Sequence, residues 1–193
     1  MDEAVEFTRM ADGTYEEYQM LMRKYEPLVK NLPTHVITAL KMLGGDKIGY
    51  KIDRYQHSLQ TATRAFRDGS DEETVVCALL HDIGDTLAPE NHAQLGAAVL
   101  RPYISEDNHW LIRNHSIFQG YYYFHHIGLD RDERERHRGH PMFQRTADFC
   151  EKYDQNSFDP DYDTMPLEAF EPMVQRVMAR PKRSIYLRAE AAE

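Results

Sequence analysis

The chain has 193 residues, enough for one domain with a single core and too few for two ordinary ones. Hydrophobic residues at 41% and charged residues at 28% fit a globular protein, and no apolar run approaches the roughly 18 residues that span a membrane. A formal charge of -9 argues against a broad phosphate-backbone surface, so neither nucleic acid nor membrane is an expected partner.

The acidic start, Met1 to Glu6, has no basic flank leading into an apolar stretch, and the expected location is cytoplasmic. Thr14-x-x-Glu17 is a capping box opening a helix that carries Tyr18, Leu21, Met22 and Tyr25 and stops before Pro27. Pro33 suits the first turn of a second helix, with Val36, Ile37, Leu40 and Leu43, ending at Gly44-Gly45. A third is predicted from about Asp53 to Asp68, terminated by Gly69 and carrying His57 in its first turns.

Ser70-x-x-Glu73 reads as a second capping box, and the apolar helix it opens runs through Val75 to Leu80 into His81-Asp82, with Gly84 beyond. Helices at about Asn91 to Leu100 and, after a Ser105 cap, Glu106 to Phe118 carry His92 and His115. The charged stretch Asp130 to Gly139 is a short exposed helix or an ordered loop. Pro141 is expected to open a helix ending at Asp154, and Leu167 to Met178 is the last. The reading is an all-α, single-domain helical bundle over residues 1–193, with its core at about 33–180 and a disordered or loosely docked tail from about 181 to 193. Cys77 and Cys150 lie far apart in apolar patterns and read as buried free thiols.

An apolar helix that ends in His81-Asp82 delivers two polar side chains to the interior, which is costly unless they are paired or bound to metal. Neighbours on a helix sit about 100° apart, so both can grip one ion only where the helix ends, as Gly84 would permit. A carboxylate can bridge two cations and an imidazole binds one, which makes Asp82 the natural bridge.

This doublet, and the order His57, His81-Asp82, His92, His115, Asp154 on predicted helices, resemble the dinuclear branch of the HD superfamily over roughly residues 45–180. The resemblance implies an HD-domain fold in which His57, His81, Asp82 and Asp154 hold one metal ion, and Asp82, His92 and His115 a second. The remaining histidines, His35, His109, His125, His126, His137 and His140, read as surface or satisfied core residues.

Most of that superfamily are phosphohydrolases. A smaller branch, the mixed-valence diiron oxygenases, includes myo-inositol oxygenase and 2-amino-1-hydroxyethylphosphonate dioxygenase. The segment Ile48-Gly49-Tyr50-Lys51-Ile52-Asp53-Arg54-Tyr55-Gln56-His57-Ser58-Leu59-Gln60 is similar to the latter's first-ligand segment. The short interval from His81-Asp82 to His92 and the run Lys152-Tyr153-Asp154 also resemble this branch. The resemblance implies two Fe ions, active as Fe(II)/Fe(III), with O2 and a small organophosphonate as reactants and no catalytic residue beyond the metal ligands.

Departures bear on the substrate. Asp85 stands where the branch has His or Lys, Gln119 where the phosphonate enzyme has a Lys, and Lys47 and Tyr50 where it has Tyr and Glu. A carboxylate at Asp85 would repel an anion and, with Tyr50 and aromatics of the run Tyr121-Tyr122-Tyr123-Phe124, suits a quaternary ammonium end. Arg131, Arg134, Arg136 and Arg138 offer guanidinium forks for an anionic end, although a solvated mixed-charge surface explains most of such a segment. The expected substrate-binding set is Asp85, Gln119, Tyr50, Arg131, Arg134 and Arg138. The best specific substrate is (1-hydroxy-2-(trimethylammonio)ethyl)phosphonate, giving glycine betaine and phosphate. A divalent-metal phosphohydrolase and a non-catalytic metal-binding module stay open beside it.

Overall fold

The computed structural model describes residues 4–184, and among these every regular element is helical. Eight α-helices occur in order: α1 (Tyr15–Lys30), α2 (Leu32–Lys41), α3 (Arg54–Arg67), α4 (Glu72–Leu80), α5 (His92–Leu100), α6 (Glu106–Gln119), α7 (Phe143–Phe149) and α8 (Leu167–Val177). Short 3-10 turns fill the α6–α7 connection, including Arg131–His137, and a π-helical turn, Cys150–Asp154, extends α7. No helix among the described residues is long and apolar enough to cross a membrane.

The starts of the helices reflect the chemistry of their caps. Thr14 and Glu17 form the reciprocal box at α1, Asp53 accepts the Gln56 N–H at α3, and Ser105 accepts the Asn108 N–H at α6. Ser70 and Glu73 do not form the expected box. Asp71 caps α4 instead, its carboxylate taking both the N–H and the hydroxyl of Thr74. Glu73 is drawn away to the Ser105 N–H at 2.6 Å and the Asn108 amide at 2.8 Å, which ties α4 to the start of α6. Helix α1 also runs past Pro27: only the bond that Pro27 cannot donate is lost, and the turn where it is lost is exposed. Pro141 precedes α7 by two residues rather than opening it.

Helix α4 is the hub. Thr74 through Leu80 are all buried, and α3, α6 and α8 pack around them, with Leu40 of α2 and Phe170 and Val174 of α8 completing the core. A fully buried Leu or Val is worth roughly 1.5–3 kcal/mol, so this apolar shell can fix the polar end of α4 where it lies. Both cysteines are buried free thiols. At the far end of the described chain the Lys182 N–H bonds the Pro102 carbonyl at 2.6 Å, and the Arg183 guanidinium bonds the carbonyls of Arg101 and Ile104. The rest of the expected tail, 185–193, lies outside the described residues.

Candidate metal centre

Helix α4 ends at Leu80, and the chain turns at once through His81 and Asp82. His81 keeps α-helical backbone angles, φ -60° and ψ -35°, and its Nε2 lies 3.3 Å from Asp82 Oδ2. Gly84 serves this turn differently from the sequence expectation. Its φ is not positive; what the position needs is a missing side chain, because the backbone of His92 packs directly on it. Gly96 does the same one turn further along α5, facing the His81 carbonyl.

The structure brings all six sequence-predicted residues into one buried cluster. His57 from α3 lies 3.2 Å from His81 Nε2 and 3.2 Å from Asp154 Oδ1, and Asp154 comes from the last residue of the π-helical turn. Such a turn inserts one residue into the helical ladder and re-aims the side chains after it, and it often marks a functional site. Asp82 then divides its carboxylate. Oδ2 faces His57 at 3.5 Å and His81 at 3.3 Å, while Oδ1 faces His92 at 3.4 Å and His115 at 3.3 Å. His81, Asp82, His115, His57 and Asp154 are all at most 3% exposed; His92, at the rim, has 18% of its side chain exposed.

Hydrogen bonding fixes which nitrogen of each ring faces inward. Nδ1 lies against the Ser157 carbonyl at 2.9 Å in His57, the Ala78 carbonyl at 2.8 Å in His81 and the Ile112 carbonyl at 2.7 Å in His115. A carbonyl only accepts, so each Nδ1 carries the hydrogen and each neutral ring presents a lone pair at Nε2. Lone pairs that face one another at about 3 Å require a cation or a proton between them. The carboxylates supply the need for positive charge too: burial alone would lower the His81 imidazole, but Asp82 and Asp154 outweigh it and raise it well above its ordinary value. Burial raises the Asp82 and Asp154 carboxyls, yet the neighbouring histidines hold both well below the usual range. Asp154 Oδ2 is buried without a hydrogen-bond partner. Buried imidazole lone pairs, a divided carboxylate and an orphaned carboxylate oxygen are compatible with a divalent metal site.

The expected substrate residues are arranged less simply. Asp85 is already engaged, with Oδ2 3.1 Å from Arg54 Nε and Oδ1 3.0 Å from His92 Nδ1. Burial first, and then the charge of Asp82, raise its carboxyl. Tyr50 is half exposed and stacks on Phe158, which in turn stacks on His57 at 4.4 Å. Gln119 lies one turn beyond His115 on α6, its Oε1 buried without a hydrogen-bond partner. Arg131 and Arg134 lie over the Tyr121 ring at 4.2 and 3.6 Å, while Arg138 is exposed, paired with Glu135 and over Phe143. Among the described residues no hydrogen bond or ion pair links these three arginines to the six.

Arg54 and Phe158 belong to the site and were not picked out as site residues from the sequence. Arg54 Nη1 is 3.6 Å from Asp82 Oδ2, and its guanidinium sits 5.6 Å from the Tyr50 ring centroid. Its signal was available: three residues before His57 on α3, it shares that helical face. Phe158 comes four residues after Asp154 in irregular chain, where no periodicity announces a direction.

Residues 54–137 match the family model of the HD domain. The match takes in five of the six cluster residues, leaving Asp154 beyond its end. No curated protein matches the chain.

Proposed function

We propose that the chain is a two-metal oxygenase that holds an Fe(II)/Fe(III) pair and uses O2 to cleave the C–P bond of a small 1-hydroxyalkylphosphonate. The observation that carries the two-metal part is the division of Asp82: one oxygen toward His57 and His81, the other toward His92 and His115. His57, His81, Asp82 and Asp154 would hold one ion, and Asp82, His92 and His115 the other. Mixed imidazole and carboxylate donors suit iron, and the carboxylates offset the charge of such a pair. Iron supplies the activation of O2 and the one-electron chemistry. For the quaternary ammonium substrate the reaction balances with one oxygen atom of O2 entering the carboxylate of glycine betaine and the other entering phosphate, with release of a proton.

The protein's own groups bind, orient and exclude water. The Nδ1 hydrogen bonds to Ser157, Ala78 and Ile112 lock three rings, so little reorganisation is needed at the site. Phe158 covers the His57 face, and Tyr50 extends that aromatic wall outward. The free Oε1 of Gln119, one turn from His115, is a ready acceptor for a substrate hydroxyl.

A specific observation favours a second reading, a divalent-metal phosphohydrolase. The negative charge of Asp85, which counts against an incoming phosphate, is offset by the Arg54 guanidinium at 3.1 Å. The oxygenase reading takes its support from the segment 48–60 and from Lys152-Tyr153-Asp154. Partial reduction of the iron-loaded protein and then electron paramagnetic resonance separate the two. A coupled mixed-valence signal perturbed by the phosphonate, with O2 uptake matching phosphate release, supports the oxygenase; phosphate release from phosphoesters without O2 uptake supports the hydrolase.

A further inference from the structure

We propose that Gln60 is a positioning residue for His57, acting through the chain segment that follows Asp154. The two residues are three apart on α3 and share a helical face. Gln60 is only 2% exposed, and its amide pairs with both main-chain groups of one residue: Nε2 donates to the Asp159 carbonyl at 2.6 Å, and Oε1 accepts the Asp159 N–H at 3.3 Å. Four residues further along α3, Arg64 Nη2 donates to the Asn156 carbonyl at 2.9 Å. Helix α3 therefore grips the segment on either side of Ser157 and Phe158, the two residues that meet the His57 ring. The Ser157 carbonyl faces its Nδ1 at 2.9 Å, and the Phe158 ring stacks on it at 4.4 Å.

The direction of that carbonyl depends on both ends of the peptide unit joining Ser157 to Phe158. The Ser157 end is fixed locally, by its N–H on the Asp154 carbonyl at 3.1 Å and its hydroxyl on the Tyr153 carbonyl at 2.6 Å. The Phe158 end runs into Asp159, where the Gln60 amide holds it. Asp159 is exposed, so without that amide its main-chain groups can turn to water; the fold tolerates the loss while the peptide unit at Phe158 is released. Both polar atoms of the Gln60 amide are taken up at Asp159, and they act on the cluster through His57, not as ligands. An outer hydrogen bond fixes the tautomer and orientation of a ligating imidazole, and loosening it typically weakens metal affinity 10- to 100-fold.

The test is proton NMR of the protein labelled with heavy nitrogen at histidine, metal-free and zinc-loaded. It compares the wild type with Gln60→Met, which keeps the bulk and loses both hydrogen bonds, and with Gln60→Glu, which keeps an acceptor and loses the donor. The Nδ1 hydrogens of His57, His81 and His115 all lie on main-chain carbonyls, so the last two are internal controls, and the His57 signal is assigned by its absence in His57→Gln. Gln60→Met is expected to shift or lose the His57 signal and leave the other two in place; Gln60→Glu should do the same and is the readout should the methionine variant unfold. A general loss of stability would disturb all three rings alike. An unchanged His57 signal in a folded variant overturns the proposal, as does an equal change at all three rings. Anaerobic dialysis of ferrous iron should then show the ion at His57 and Asp154 weakened about 10- to 100-fold and the ion at His92 and His115 unaffected. This second readout rests on the two-ion reading, which a wild type taking up a single ion would remove; the ring signals still decide the role of Gln60.

Discussion

Gly84 lies so close to the backbone of His92 that a β-carbon on it would fall 2.4 Å from the His92 carbonyl oxygen and 2.8 Å from its Cα. The contact is backbone against backbone, so no side-chain rotation relieves it. Gly84→Ala should push the start of α5 away from the His81-Asp82 turn, at a cost of about 1–3 kcal/mol in stability. Urea unfolding would measure this, and the same variant should bind its second iron more weakly because His92 moves with α5. A variant as stable as wild type with both irons in place would show that the turn is more yielding than its packing indicates.

Selective loss should mirror the division of Asp82. His115→Ala removes a residue that faces only Oδ1 and should weaken one ion, leaving the ion at His57 and His81 in place. Asp154→Ala should do the reverse, since Asp154 approaches only His57 and His81. His81→Ala should disturb more than either, because His81 lies at the centre of the buried rings. Iron content per chain checks all three.

The sequence order of the six residues was readable because helical caps and breakers place each on or beside a helix, and because a polar doublet after a wholly apolar helix has to lie inside. The supporting contacts were not readable. Arg54, Asp85 and His92 meet only because Gly84 and Gly96 let α5 press on the turn after α4, and nothing local in any of these segments announces that closeness. Asp85 by itself reads as a free carboxylate facing a ligand; in the fold it is held between a guanidinium and an imidazole. The capping error at α4 has the same origin, since Glu73 leaves the local box for the Ser105 N–H on another helix.

That interhelical carboxylate gives a pH dependence. Burial alone would raise Glu73, but hydrogen bonds from Lys182, Ser105 and Asn108 outweigh it and bring it down to about 2. A carboxyl lowered on folding stabilises above its unfolded value, about 4.3, and that contribution is lost as pH falls through the folded value. Stability attributable to Glu73 should therefore fade between about pH 4 and pH 2. Glu73→Ala should cost about 1–3 kcal/mol near neutral pH, because the Ser105 N–H and Asn108 amide lose their acceptor. Its stability difference from wild type should shrink toward pH 2 in acid unfolding curves; a constant difference would count against this role.

Cys77 and Cys150 are at most 1% exposed, and burial pushes both thiols up, away from the reactive thiolate. A thiol reagent at neutral pH should leave the native protein untouched over minutes and titrate two thiols once it is unfolded. Fast modification of the native chain would mean that α4 or the π-helical turn opens readily.

The most direct measure of the central claim is the number of iron ions bound per chain by the wild type and by Asp82→Ala, both loaded anaerobically and freed of loosely held metal. Sharing of one carboxylate by two ions predicts two irons in the wild type and fewer than one in the variant, with helix content preserved. An Asp82→Ala protein that still holds two irons per chain would contradict it.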